Sequence, residues 1–185
     1  NIGRVLRELK DQGLYDNTLV IFTSDNGGAN YIGLDDLNKP YRGWKATFFE
    51  GGTRVPFFMQ WPAVIPAGST FGEPVSHFDI FATAASVAGL PLPQDRVIDG
   101  VDLLPYALGT KSGRPHEQMF WRSGAYQVAR NGDWKLQVND TQNKVWLFNL
   151  KDDPTEQHDL AASEPQRVKE LQEQLAQFNS QQHAP

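Results

Sequence analysis

Thr18-Leu-Val-Ile-Phe-Thr23, followed at once by Ser24-Asp-Asn-Gly-Gly28, is the stretch on which the rest of the chain turns. The first six residues are apolar without alternation and rich in branched side chains, the pattern of a strand covered on both faces. Upstream, Ile2, Val5, Leu6 and Leu9 follow the i, i+3, i+4, i+7 spacing of an amphipathic helix. Gly13 then stands where a helix ends in a left-handed residue, with Leu14 able to close over the end. Helix, a short turn at Asp16-Asn17 and buried strand, in that order, predict one αβ unit of a parallel sheet, with the helix starting at or before the first residue.

Downstream, residues 26–52 are rich in Gly, Asn and aromatics and have no period, and a loop of that length in a compact domain is usually functional. Val55 to Trp61 reads as a second strand, with Pro56 at its first residues or on an edge. A helix is expected from about His77 to Ala88, apolar at Ile80, Phe81, Ala84, Ala85 and Val87 and stopped by Gly89 and Pro91. Lys111-Ser-Gly-Arg-Pro115 marks a boundary. Beyond it lie strand-like runs at 126–130, 134–138 and 145–150, the first two joined by the hairpin signal Asn131-Gly132. Asp152-Asp-Pro154 ends that series. Ser163 with Gln166 reads as the capping box of a last helix whose apolar stripe is Val168, Leu171, Leu175 and Phe178. The expectation is an α/β part over 1–110 and a small antiparallel sheet with one covering helix over 111–185.

Composition narrows the function classes. The 185 residues carry a formal net charge of -5, which gives no electrostatic reason to expect nucleic acid or an anionic membrane as partner. An anionic substrate would therefore have to be met by individually placed cations. There is no cysteine, so neither a disulfide nor a thiolate metal site can form. No apolar run approaches the ~20 residues that span a bilayer. The chain opens on Asn1 with no basic or apolar leader, and reads as though a segment upstream of it is missing.

Two constellations carry chemistry. Asp25-Asn26 follows the strand at the place where open α/β sheets put ligands. A carboxylate and an amide oxygen are the hard donors calcium or magnesium prefers, although Asp-Asn-Gly-Gly is also good turn chemistry. Two oxygens fall short of the roughly 6–8 that calcium wants, so a site built on them draws its other ligands from elsewhere, with Asp35 and Asp36 nearby in a polar loop. Lys45 sits in a Gly-, Trp- and Phe-rich segment as a candidate cation for an anionic oxygen or as an ordinary surface lysine. Glu50 and Arg54, four apart around two glycines, read as a structural ion pair. His77 beside Asp79 reads as a cap or satisfied partner, whereas His116, His158 and His183 lie in polar stretches without a pattern. No nucleophile elbow, His-x-x-x-His pair or phosphate-binding loop is present.

Taken together, the landmarks resemble the type I sulfatases of the alkaline phosphatase superfamily. Asn17 to Gly27 is similar to that family's strand and metal-binding turn, and Lys45 to Pro56 to its K-x-x-x-(aromatic)-E-G-G-x-R-V-P segment. Trp61-Pro62, His77-Phe-Asp79 with Ala88-Gly89, Asp99-Gly-Val-Asp-Leu-Leu104 and Leu147-Phe-Asn-Leu-Lys-Asp-Asp-Pro154 follow in the family's order. The resemblance implies the C-terminal part of an alkaline-phosphatase-like sandwich in a sulfate-ester hydrolase. It makes Asp25 and Asn26 ligands of the active-site calcium, with magnesium the alternative, and Lys45 the catalytic residue that grips a sulfate oxygen. Asn26, where related phosphonate and phosphodiester hydrolases more often carry His, points to an oxygen-only site and a sulfate ester.

The resemblance places the formylglycine nucleophile near the start of the full-length enzyme, upstream of these residues, so the isolated chain is expected to be inactive. Its implied partners are a sulfate-ester small molecule or glycan and the N-terminal half of the catalytic domain. An incomplete domain would also expose apolar surface and self-associate. By resemblance alone, the compartment is periplasmic or secreted. The alternatives are a phosphodiester or phosphonate hydrolase on the same scaffold and a non-catalytic binding module.

Overall fold

A computed structural model describes residues 1–34 and 36–181, leaving Asp35 and His183 outside the described residues. In chain order its elements are α1 (Ile2–Asp11), β1 (Val20–Thr23), α2 (Glu50–Thr53), β2 (Phe57–Gln60), α3 (Asp79–Val87) and α4 (Leu104–Ala107). There follow β3 (Gln118–Ser123), β4 (Tyr126–Asn131), β5 (Trp134–Asn139), β6 (Lys144–Asn149) and α5 (Pro165–Ser180). The chain is thus mixed α/β. It divides into two compact units, Asn1–Phe22 with Phe57–His116, and Thr23–Pro56 with Glu117–Pro185. Residues 23–56 therefore share a unit with the C-terminal sheet, a grouping that the composition shift near residue 111 does not reveal.

In the first unit, α1 ends as its sequence requires. Gly13 takes φ +69°, and the Leu14 amide donates to the Leu9 carbonyl at 2.8 Å, closing a Schellman turn. None of the helix's residues is buried. β1 and β2 are hydrogen-bonded neighbours in a two-stranded sheet. The expected coverage on both faces is not found among the described residues: Phe22 is 43% and Phe58 63% exposed, their rings 6.2 Å apart. Two strands give these rings each other and no covering layer. α3 also departs from expectation, because its buried residues are Asp79, Ala82 and Thr83 while Phe81 faces outward. Its polar oxygens explain this. The Asp79 carboxylate accepts from the Ser76 amide at 2.7 Å and the Val101 amide at 2.9 Å, and Thr83 Oγ1 accepts from the Leu103 amide at 3.0 Å. The imidazole that meets Asp79 belongs to His116, with Nε2 2.8 Å from Oδ1.

The second unit holds most of the apolar core. Its sheet is an antiparallel meander in the order β3-β4-β5-β6, with β3 a strand the sequence pattern does not announce. Asn131 pairs with Trp134, so the two loop residues are Gly132 and Asp133, one place beyond the Asn-Gly signal. Gly132 has φ +58°, the sign a II′ turn demands at its first central position. On one sheet face Ala129, Leu136 and Leu147 pack against Leu171 and Leu175 of α5, as the helix's apolar stripe predicts. Phe120 stacks on Phe178 at 4.3 Å. The capping box does not form: Pro165 begins the helix with Glu164 at the cap, and the Ser163 hydroxyl donates to Leu160 instead. Proline tolerates the first helical turn, where its missing N–H costs nothing.

The opposite face is covered as well. Lys135, Gln137 and Phe148 are buried, and Phe49 meets the rings of Trp146 and Phe148 at 5.6 and 6.0 Å. One helix and one loop segment, residues 42–54, therefore sandwich the sheet.

Candidate active site

The segment that follows β1 and the segment around α2 are joined backbone to backbone. The Gly27 amide donates to the Gly52 carbonyl at 3.0 Å, the Lys45 amide to the Gly28 carbonyl at 3.1 Å, and the Gly51 amide to the Arg42 carbonyl at 2.6 Å. Such close approach leaves no room for side chains. A Cβ on Gly27 would collide with the Gly51 carbonyl, and one on Gly51 would lie 2.6 Å from the Arg42 oxygen. The paired glycines are thus a packing requirement as well as turn formers.

Asn38 completes the join. Its Oδ1 accepts from the Gly28 amide at 2.7 Å, and its Nδ2 donates to the carbonyls of Gly28 at 2.9 Å and Gly43 at 3.1 Å. Nothing in the sequence marks this asparagine among its neighbours. Its side chain does the work of a missing piece of backbone, a role short amides perform well.

Asp25, Asn26 and Lys45 line one cavity of about 690 Å³ with Asn38, Tyr41 and Arg54. Asp25 and Lys45 are exposed, and among the described residues neither side chain has a hydrogen bond or an ion pair. Asn26 Nδ2 donates to the Gly27 carbonyl at 3.0 Å, leaving Oδ1 as the atom with capacity to spare. These two residues therefore fit a hard cation in kind, offering one carboxylate and one amide oxygen. They do not complete a shell: among the described residues no three His, Cys, Asp or Glu side chains gather as a metal cage. Asp36 pairs instead with Lys39 at 2.5 Å. Next to Lys45, Ala46 adopts φ +73°, a left-handed conformation that a non-glycine residue holds only at a cost.

Glu50 forms the expected ion pair with Arg54, Nη1 3.8 Å from Oε2, the half-exposed guanidinium also lying over the Tyr41 ring. Its main partner is Lys135 from β5, with Nζ 2.7 Å from Oε1. The same ammonium is 3.1 Å from Glu156 Oε1, and Lys135 and Glu156 are 1% and 0% exposed. Glu156 Oε2 accepts from the Glu50 amide at 2.5 Å, and Oε1 also accepts from Gln137 Nε2 at 3.0 Å. Burial pushes the Glu156 carboxyl above its usual value, with Lys135 pulling the other way. Tyr126 donates to Gln137 and accepts from the Phe48 amide, and burial raises its phenol to about 12. In the sequence, Lys135 and Gln137 look like the solvated face of an alternating strand. Only the pairing of distant segments shows them to be interior.

With this geometry in place, comparison with known proteins is informative. The Sulfatase family model matches residues 1–90. The chain is 42% identical to rat (Rattus norvegicus) steryl-sulfatase over 159 residues, which cover 83% of this chain and 27% of that protein. It is 31% identical to the uncharacterized sulfatase YdeN of Escherichia coli K12, over 96% of this chain and 38% of that protein. Among solved structures, Ps i-CgsB in complex with k-i-k-neocarrahexaose superposes with a TM-score of 0.85 at 31% identity, covering 96% of this chain and 40% of the other. The chain thus spans between about a quarter and two fifths of the length of these relatives. Matched by the family model, by named sulfatases and by the backbone itself, the chain is a type I sulfatase-like protein.

Proposed function

We propose that these residues form one wall of the active site of an enzyme that hydrolyses sulfate esters. In this reading Asp25 and Asn26 are ligands of a calcium ion, and Lys45 holds a sulfate oxygen. The observation that carries it is the cavity shared by a carboxylate and an ammonium, both without a partner among the described residues, and an amide with a spare oxygen. The reaction adds water across the ester, breaking the O–S bond to give an alcohol and sulfate. A bound divalent cation would supply charge neutralisation at the sulfate oxygens. The chain's own part is to place Lys45 Nζ where negative charge grows on a second oxygen, and to keep the Asp25-Asn26 turn rigid through its glycine backbone bonds. Residues 1–110 then belong to the catalytic domain and 111–185 to a small subdomain. A substrate that is a sulfated small molecule or glycan is supported by the similarity to steryl-sulfatase and to the neocarrahexaose-bound structure.

The complete enzyme carrying these residues should release product from an aryl sulfate in preference to an aryl phosphate. Asp25→Ala should remove both calcium and activity. Faster turnover of the phosphate would select the phosphoryl-hydrolase alternative. Unchanged metal content and activity in Asp25→Ala would select a binding module. The 185-residue chain alone should show no metal-dependent release from p-nitrophenyl sulfate.

A further inference from the structure

We propose that Lys135 and Glu156 are positioning residues of the Asp25–Asn26–Lys45 site, holding in place the α2 turn against which both site loops are built. The inference rests on the functional reading above and extends it to residues of the C-terminal sheet.

The connection can be followed atom by atom. Lys135 Nζ binds Glu50 Oε1 at 2.7 Å and Glu156 Oε1 at 3.1 Å, and Glu156 Oε2 takes the Glu50 amide at 2.5 Å. Glu50 is the first residue of α2, so side chain and backbone are both fixed from below. Two residues on, the Gly52 carbonyl accepts the Gly27 amide, which directly follows Asn26. The Gly51 amide fastens the Arg42 carbonyl, and the Gly28 carbonyl receives the Lys45 amide. Arg42 in turn donates from Nη1 to the Glu156 carbonyl at 3.0 Å. The metal turn and the lysine loop thus meet on a backbone step that is itself clamped to β5 and to residue 156.

Two further features favour positioning over simple stability. Glu156 is held at φ +58°, and left-handed backbone at a non-glycine residue persists only where its surroundings over-determine it. A single cation facing two buried carboxylates is also a poor way to gain stability, because desolvation offsets much of the attraction. What such a cluster provides is direction: its carboxylate oxygens meet the Lys135 ammonium, the Gln137 amide and the Glu50 N–H at fixed places.

The test is calcium titration of the complete enzyme in four forms, at a temperature where each unfolds cooperatively well above the assay. Lys135→Met removes the cation. Glu156→Gln is the second variant, which leaves one cation against one carboxylate and so remains able to fold. It still disturbs the geometry, because its amide nitrogen must face either Lys135 and Gln137 or the Glu50 N–H, all of them donors. The expectation is a calcium affinity lower by roughly 10–100-fold in each, the range for groups that orient metal ligands. KM and kcat should shift together with it, and saturating calcium should restore kcat. Asp25→Ala, the fourth form, should bind no active-site calcium. Should Lys135→Met fail to fold, Glu156→Gln decides alone. If Asp25→Ala abolishes binding while the other two bind calcium as the parent does, with only a lower Tm, the cluster is structural and the inference is overturned. If Asp25→Ala also binds normally, the functional reading itself falls, and the inference with it.

Discussion

Asn38→Ala isolates the contribution of one side chain to the join between the two site loops. The change deletes three hydrogen bonds to main chain, at 2.7, 2.9 and 3.1 Å. At about 0.5–1.5 kcal/mol net for each, the loss is roughly 1.5–4.5 kcal/mol. Asn38 is half-buried, so water can reach part of what is stranded, and about 2 kcal/mol is the reasoned value. That loss is local, because the sheet core lies on other residues. The fitting assay is therefore native-state amide exchange, read at Gly28 and Lys45. About 2 kcal/mol corresponds to a factor of ~30 in the opening equilibrium, and both amides should lose about that much protection while core amides of β5 keep theirs. Asn38→Asp sharpens the point. It retains the acceptor for the Gly28 amide but sets a second oxygen against the Gly28 and Gly43 carbonyls. It should therefore be worse than Ala while ionised, and recover as the carboxylate is protonated. Protection at Gly28 within about threefold of the parent in Asn38→Ala would refute the argument, because these three bonds would then carry almost none of the loop's rigidity.

Three further outcomes follow from other parts of the molecule. Leu147→Ala, fully buried among Leu136, Leu171 and Leu175, should cost about 2–5 kcal/mol in urea unfolding, and a loss below ~1 kcal/mol would contradict the packing. Glu156 should make stability fall as pH rises. Its carboxyl is raised by burial, so the native state holds the proton more tightly, and that advantage is complete below the unfolded value of about 4.5 and lost through the higher folded value. The unfolding free energy of the parent minus that of Glu156→Gln should accordingly decline from pH 4 to 7, and a flat difference would contradict it. The isolated chain, with Val5, Phe22 and Phe58 exposed, should scatter light as a species larger than a monomer, whereas a clean monomer would count against apolar self-association.

How much of this was legible in the sequence varies with the range of the interaction. The end of α1 at Gly13 and the α5 stripe are local patterns, and both are found. The hairpin was legible to within one residue, because Asn-Gly and Gly-Asp both suit a two-residue loop and strand register chose between them. The capping box failed because Pro165 can open a helix on its own terms. The coverage of β1 and the inward face of α3 depend on which layers surround them, which periodicity does not encode. The candidate site followed the same rule. Asp25, Asn26 and Lys45 were ambiguous in their own short motifs and were singled out by the ordered landmarks around them; the structure lines one cavity with all three. Lys135, Glu156 and Asn38 did not stand out, since their partners lie 85, 106 and 10 residues away. Lys135 in particular presents as a polar position on an alternating strand, and nothing local says that the polar face is covered.

That division also separates chemistry from support in a way that can be measured. The residues proposed to meet ligand are those with the fewest bonds of their own: Asp25 and Lys45 are exposed and make no side-chain bond among the described residues. The residues that hold them, Lys135, Glu156 and Asn38, are buried or half-buried and each bonded to several partners. Replacing a group with no native partner removes no native interaction, so Lys45→Ala should leave Tm within about 1 °C, since surface changes away from special features fall within roughly 0.5 kcal/mol. In the complete enzyme the same change should lower kcat/KM by about 10²–10³-fold, the scale of losing one preorganised charge partner at a developing oxyanion. Arginine at this position should recover little, because its planar fork cannot place a point charge where the ammonium sat. Were Lys45→Ala instead to lower Tm by several degrees with kcat/KM nearly unchanged, the lysine would be part of the loop's support, and the cavity would lose the cation on which its proposed chemistry depends.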